Sequence, residues 1–185
     1  MTEKTTKEKM FAGELYDPYD LELVEERKEA RRITGIYNGS TVDEDREAIL
    51  QKLFGRIGEN PIIEPPFYCD YGKYTFLGEN VYMNFGCVIL DCNEVHIGDN
   101  VMFAPYVQIY AAHHPILASE RIKGPELSSP IRIGNNVWIG GGSIVLPGVT
   151  IGDDTTIGAG SVVTKNIPAS VVAAGNPCRV IREIE

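Results

Sequence analysis

Residues 133–162 read IGNNVWIGGGSIVLPGVTIGDDTTIGAGSV. Apolar residues stand at Ile133, Ile139, Val145, Ile151 and Ile157, and Val163 follows just beyond, six apart each time. Four positions after an apolar site comes a small or β-branched residue: Val137, Ser143, Val149, Thr155 and Ser161. A period of six is neither the 3.6 of a helix nor the alternation of a half-buried strand. It suits one short strand and one turn per unit. Stacked so that each strand pairs with its counterpart in the next coil, such units make a parallel β-solenoid.

The same beat runs upstream through Leu77, Met83 and Ile89, then Ile97, Phe103 and Ile109, for twelve units in all. Glycine follows at six of them (Gly78, Gly98, Gly134, Gly140, Gly152 and Gly158), where it is expected to relieve backbone strain at the turn. Between Ile109 and Ile133 the beat stops. Residues 111–130, AAHHPILASERIKGPELSSP, abandon the pattern although the 24-residue gap would preserve its phase. This predicts an excursion from a rigid scaffold, with His113 and His114 at its start.

The first third reads as helical. MTEKTTKEKMFAGELY predicts a short helix ending near Gly13, and Asp20 opens a second over residues 20–38 with Asn38-Gly39 as its stop. Thr41 and Glu44 form a capping box for a third, which places Ile49, Leu50, Leu53, Phe54 and Ile57 at helical spacing and ends near Gly58. PIIEPP, residues 61–66, closes this region. The expected organisation is a helical segment over 1–60. A mainly β solenoid over 61–185 follows, with its excursion at 111–130 and a C-terminal tail.

Composition narrows the function classes. A net charge of −9 with no basic stripe excludes a nucleic-acid binder. No stretch reaches the roughly 18 apolar residues of a membrane span, and the start lacks a hydrophobic signal core. Cys69, Cys87, Cys92 and Cys178 show no CxxC spacing and are expected to be reduced. The expectation is a cytoplasmic protein.

The units IGNNVW, IGGGSI, VLPGVT, IGDDTT and IGAGSV resemble the hexapeptide repeats of the left-handed parallel β-helix acyltransferases. That resemblance implies three hexapeptides per triangular coil, so four coils for twelve units. FAGELYD (11–17), EPPFYCDYG (64–72), NFGCVILD (84–91), His114-Pro115, IGNNVWIGGG (133–142), VVTKNIP (162–168) and VVAAGNPCRVIR (171–182) occur in this order. Together they resemble the maltose and galactoside O-acetyltransferases, from Phe11 to Glu185.

The resemblance implies an acetyl-CoA-dependent transfer to a sugar hydroxyl, at C6 of a sugar such as maltose or glucose, in a ternary complex. A neutral alcohol is a poor nucleophile, and an imidazole can take its proton near neutral pH. The family's general base is the histidine before a proline, here His114. The acceptor pocket maps onto Asp17, Asp70, Tyr82, Asn84 and Cys92, with Asp20 competing with Asp17. Asn84 carries an amide suited to orienting a hydroxyl or the base. Some members carry an aspartate in place of Cys92.

For the donor, Gly140-Gly141-Gly142 would admit a pantetheine arm against bare backbone, with the Gly141 amide donating to the acetyl oxygen. The family often has serine at Gly141, so only the backbone donor remains here. Ala159, Thr164 and Lys165 match coenzyme A contacts, and Arg179 and Arg182 suit its phosphates. Trp138 would line the coenzyme arm or pack on a neighbouring subunit. No metal is expected, because the adjacent His113 and His114 would diverge from a common ion. The family implies a homotrimer with sites between subunits. Other acceptors (a galactoside, an antibiotic, serine or a nucleotide sugar) and a non-catalytic assembly solenoid stay open, since fold alone does not choose.

Overall fold

The computed structural model describes residues 3–41 and 46–184. All twelve apolar sites of the six-residue beat point into one core, none more than 3% exposed. The small or β-branched residues four positions later are buried as well, from Val81 through Ser161. Each unit therefore turns inward twice, once on its strand and once at its corner.

The strands stack into three parallel faces. The first holds Thr75–Leu77, Val95–Ile97, Ile131–Ile133 and Thr150–Ile151. The second holds Ile62–Ile63, Tyr82–Met83, Met102–Phe103, Trp138–Ile139, Thr156–Ile157 and Val171–Gly175, with Cys178–Glu183 folded back antiparallel at its end. The third holds Tyr68–Cys69, Val88–Leu90, Gln108–Tyr110, Ile144–Val145 and Val162–Val163. Register steps on the second face locate the excursion: Tyr82 pairs Met102, Met102 pairs Trp138, and Trp138 pairs Thr156.

The solenoid makes about six turns, two more than the repeat count predicts. A first coil is built from an Arg56–Phe76 bridge with Ile63 and Cys69, and a last from an Ile151–Ile167 bridge with Ala173. In the first coil Ile57-Gly58 stacks under Leu77-Gly78 and Asn60 shares the left-handed φ of Asn80, so that unit keeps the beat but lies at the end of a helical pattern. In the last coil Ile167 and Ala173 are followed by Pro168 and Ala174, not glycine.

The glycines after the apolar sites serve close packing rather than turn strain. A Cβ on Gly98 would stand 2.5 Å from Asn135 Oδ1 and 2.8 Å from the Gly134 carbonyl carbon in the next coil. The left-handed conformation falls two residues further on, at Asn80, Asn100, Asn136 and Asp154, with φ of 54–57°. Asparagine and aspartate tolerate that region because a short polar side chain bonds locally. Here the side chains also bond one another up the corner, Asn80 to Asn100 at 3.0 Å, Asn100 to Asn136 at 3.0 Å and Asn136 to Asp154 at 2.8 Å.

Four helices accompany the solenoid among the described residues. α1 (Thr6–Phe11) starts at a capping box in which the Glu8 amide donates to Thr5 Oγ1 and the Thr5 amide to Glu8. α2 (Leu21–Gly39) is capped by Asp20. α3 (Arg46–Leu53) stops short of the expected Gly58. The Gly55 amide already donates to Thr75 O at 3.1 Å and Arg56 pairs with Phe76, so residues 55–58 belong to the solenoid. The Thr41–Glu44 box runs into residues 42–45 and so lies outside the described residues. Ala30, Ile33, Tyr37, Leu50, Leu53 and Phe54 join the solenoid core and close its first coil. The excursion leaves the third face as a hairpin, Ala112–His113 antiparallel to Leu127–Ser128, with α4 (Ala118–Arg121) between. No helix among the described residues is long and apolar enough to cross a membrane.

Candidate active site

Most of the predicted residues collect on two corners of the prism, while Tyr82, Trp138, Arg179 and Arg182 lie on the second face and Asp17 on the N-terminal segment. The corner between the third and first faces carries Asp70, Cys92, the whole excursion, Thr164 and Lys165. His114 is exposed at the mouth of a depression of about 430 Å³ whose walls include Leu15, Pro115, Leu117 and Leu127. Arg121 fixes the turn after it, its Nη1 donating to Pro115 O at 3.1 Å and Ile116 O at 2.9 Å. His113 is half-buried, with Nε2 3.5 Å from Ser129 Oγ. Burial and the neighbouring His114 push its pKa below the ordinary imidazole value.

Beside the excursion lies a smaller cavity of about 180 Å³ lined by Arg27, Arg31, Asp70, Cys92 and Glu126. Cys92 is buried, and its Sγ donates to Asp70 Oδ2 at 3.5 Å. Burial raises the Asp70 carboxyl pKa, against the opposing pull of Cys92 and Arg27. Burial likewise raises all four thiols, Cys87 to about 11. Thiols held protonated near neutral pH are poor nucleophiles, which argues against an acyl-cysteine intermediate.

Asp17 does not line this cavity. Its Oδ1 accepts from the Tyr19 amide at 2.9 Å, and it faces a separate depression with Tyr16 and Lys123. Asp20 is committed to capping α2, accepting from the Glu22 amide at 3.0 Å. Sequence reading missed Arg27 and Glu126. Arg27 is one of four basic residues in a charged helix and nothing local marks it. Glu126 is brought there by an antiparallel bridge to Tyr16, whose hydroxyl donates to Glu126 Oε2 at 2.7 Å.

The corner between the second and third faces carries Asn84, Gly141 and Ala159. Asn84 Oδ1 accepts from the Phe85 amide at 2.8 Å, a turn bond that leaves the side-chain NH2 unengaged among the described residues. In register beyond Asn84 come Ala104, Gly140, Gly158 and Ala174, so this row has no polar side chain to block a ligand. The Gly140 and Gly142 amides are used, donating to Ile157 O at 2.8 Å and Pro105 O at 2.9 Å. The Gly141 amide between them has no partner among the described residues. Arg179 and Arg182 pair with Ala174 and Val172 and so end the track with positive charge. Tyr82 and Trp138 share a row on the adjoining second face, Trp138 half-exposed between Met102 and Thr156.

One chain thus separates the base candidate from the amide donors. His114, Asp70, Cys92, Thr164 and Lys165 stand on one side of the third face, Asn84, Gly141 and Ala159 on the other. A depression of about 630 Å³ on the first face, around Arg56, Phe76, His96 and Arg132, holds none of these residues. There His96 stacks on Phe76 with ring centroids 4.8 Å apart and contacts Glu94 at 2.9 Å, a surface arrangement. Among the described residues no three His, Cys, Asp or Glu side chains converge to hold a metal ion.

Two family models match the chain: the maltose acetyltransferase hexapeptide capping motif over residues 9–58 and the bacterial transferase hexapeptide over residues 130–165. The chain is 46% identical to the galactoside O-acetyltransferase of Escherichia coli, over 96% of this chain and 88% of that protein. Among solved structures it is similar to a maltose O-acetyltransferase from Clostridium difficile, at 52% identity and a TM-score of 0.97 with both chains fully covered. It is also similar to a galactoside acetyltransferase in complex with coenzyme A, at 45% identity, a TM-score of 0.97, and coverage of 99% and 92%.

Proposed function

Because the chain belongs to the maltose and galactoside O-acetyltransferase family, we propose that it transfers acetyl from acetyl-CoA to a hydroxyl, the C6 one, of a sugar such as maltose or glucose. The unpartnered Gly141 amide carries this reading. It stands beside the corner row of bare backbone at Gly140, which has Asn84 at one end and Arg179 at the other. A pantetheine arm laid along that row would bring its thioester to Gly141, where the amide steadies the oxygen as negative charge develops. Ala159, Thr164 and Lys165 would contact the rest of the coenzyme, and the arginines its phosphates. His114 takes the proton from the sugar hydroxyl as that oxygen attacks the thioester carbon, and coenzyme A leaves as the thiol.

The acceptor lies between Asp70, Cys92 and Glu126 on one corner and Asn84 on the other, with Tyr82 on the adjoining second face and Asp17 near its edge. Since one chain keeps these corners apart, the working unit is a homotrimer in which the excursion of one subunit meets the Asn84–Gly141 corner of the next. Ile62, Met102 and Trp138, each half-exposed on the second face, offer it an apolar surface.

His114→Ala tests the assignment. Thiol release from acetyl-CoA with glucose or maltose present is expected to fall at least about a hundredfold, within the range for a lost general base. Undiminished turnover would remove His114 from the mechanism. No thiol release by the parent protein with any sugar would remove the sugar.

A further inference from the structure

Seven non-glycine residues among those described adopt positive φ: Asn60, Asn80, Asn100, Asn136, Asp154, Ser170 and Tyr106. Six are short and polar, the type that tolerates this conformation. Tyr106, at φ 60°, is bulky and aromatic, and in that region such a residue is a genuine outlier. Nor does core burial hold it there, since its side chain is 65% exposed. Its hydroxyl makes no hydrogen bond among the described residues.

The ring has a specific seat. A Cβ on Gly86 would lie 2.5 Å from Tyr106 Cδ1, so the ring rests on the bare backbone of the preceding coil. The Tyr106 amide donates to Phe85 O at 2.9 Å, and Phe85 is itself 52% exposed. Asn84 adjoins that pair, and on the other side Pro105 O accepts from the Gly142 amide at 2.9 Å. The strained tyrosine therefore stands on the corner between the coil of Asn84 and the coil of Gly141. The coil turn sets this conformation, which Gly86, Gly142 and Gly160 take without strain at the same corner position. A tyrosine placed where the neighbouring coils have glycine is the exception, and such retained strain points to function.

Resting on the reading of this corner as the transfer site, we infer that Tyr106 is a specificity-determining residue, an aromatic platform for the acceptor's pyranose ring. A pyranose presents an apolar face of C–H bonds between its hydroxyl edges. Tyrosine matches it with an apolar ring and a hydroxyl tip free to bond a sugar oxygen. Asn84 would orient the reacting hydroxyl from one side, while Tyr106 holds the ring from beneath.

Tyr106→Asn is the test, because asparagine occupies the same conformation at four other corners of this chain. The variant is expected to melt no lower than the parent, and about 2–4 °C higher if the released strain is near that of one left-handed residue. The KM for the sugar should rise roughly tenfold, the worth of one stacked aromatic contact, with the KM for acetyl-CoA unchanged. Tyr106→Phe should recover most of the sugar affinity. A parental sugar KM in Tyr106→Asn, or a lower melting point accompanied by equal losses for both substrates, overturns the inference. If the parent acetylates no sugar at all, the transfer reading itself fails, and the platform with it.

Discussion

At the scale of single residues, two kinds of glycine do different work in this chain. Gly98 has no room for a Cβ because the neighbouring coil fills that space. Gly160 has open space around it but a φ of +69°. Gly98→Ala should therefore cost about 3 kcal/mol, the upper end of overpacking, while Gly160→Ala should cost about 1 kcal/mol for a left-handed alanine. Denaturant midpoints of the two variants decide this, and the reverse order would contradict it. The spacing of the glycines was legible because six residues per side is a covalent regularity. Their reason was not, since a sequence does not show that the next coil's backbone lies against the position after the apolar site. The turn strain itself was visible in principle as asparagine and aspartate at positions 80, 100, 136 and 154.

At the scale of elements, α2 was readable from Asp20 at its start and α3 from its apolar spacing, and the end of α3 was not. Gly55 and Arg56 continue a helical pattern locally, but pairing with Thr75 and Phe76 takes them into the first coil. The same corner contains a buried carboxylate that a sequence would place on the surface. Asp91 accepts from the Tyr71 amide at 2.8 Å and from Thr75 Oγ1 at 3.1 Å, knitting two coils together. Burial lifts its pKa to about 6, with the Tyr71 and Gly72 amides opposing the rise. The folded chain then keeps a proton that the unfolded chain releases at its ordinary value of 3.8. Between pH 4 and 6 this group's contribution to stability falls as pH rises, by about 3 kcal/mol in all. In Asp91→Asn that component should vanish, so the stability difference between parent and variant should narrow or reverse from pH 4 to pH 6. A difference independent of pH would show that Asp91 does not titrate there.

At the scale of the whole molecule, the decisive fact is that the prism has corners and the residues proposed for the site stand mostly on two of them. Motif order along the chain nominates those residues but says nothing of their distribution, because the coils superpose residues 16, 18, 20 or 36 positions apart. The excursion likewise was legible as an interruption, while its latch to the N-terminal segment through Tyr16 and Glu126 was not. If each site takes His114 from one subunit and Asn84 from the next, the two defects can be placed in different chains and complement. His114→Ala and Asn84→Ala homotrimers should each be nearly inactive. Trimers assembled from an equal mixture should regain about a quarter of parent turnover, since each intact site needs its histidine from one variant and its asparagine from the other. A site contained within one chain would regain nothing on mixing, as every chain carries one defect. Recovery near a quarter, rising and falling with the mixing ratio, therefore separates a shared site from a self-contained one, whichever sugar serves as acceptor in the assay.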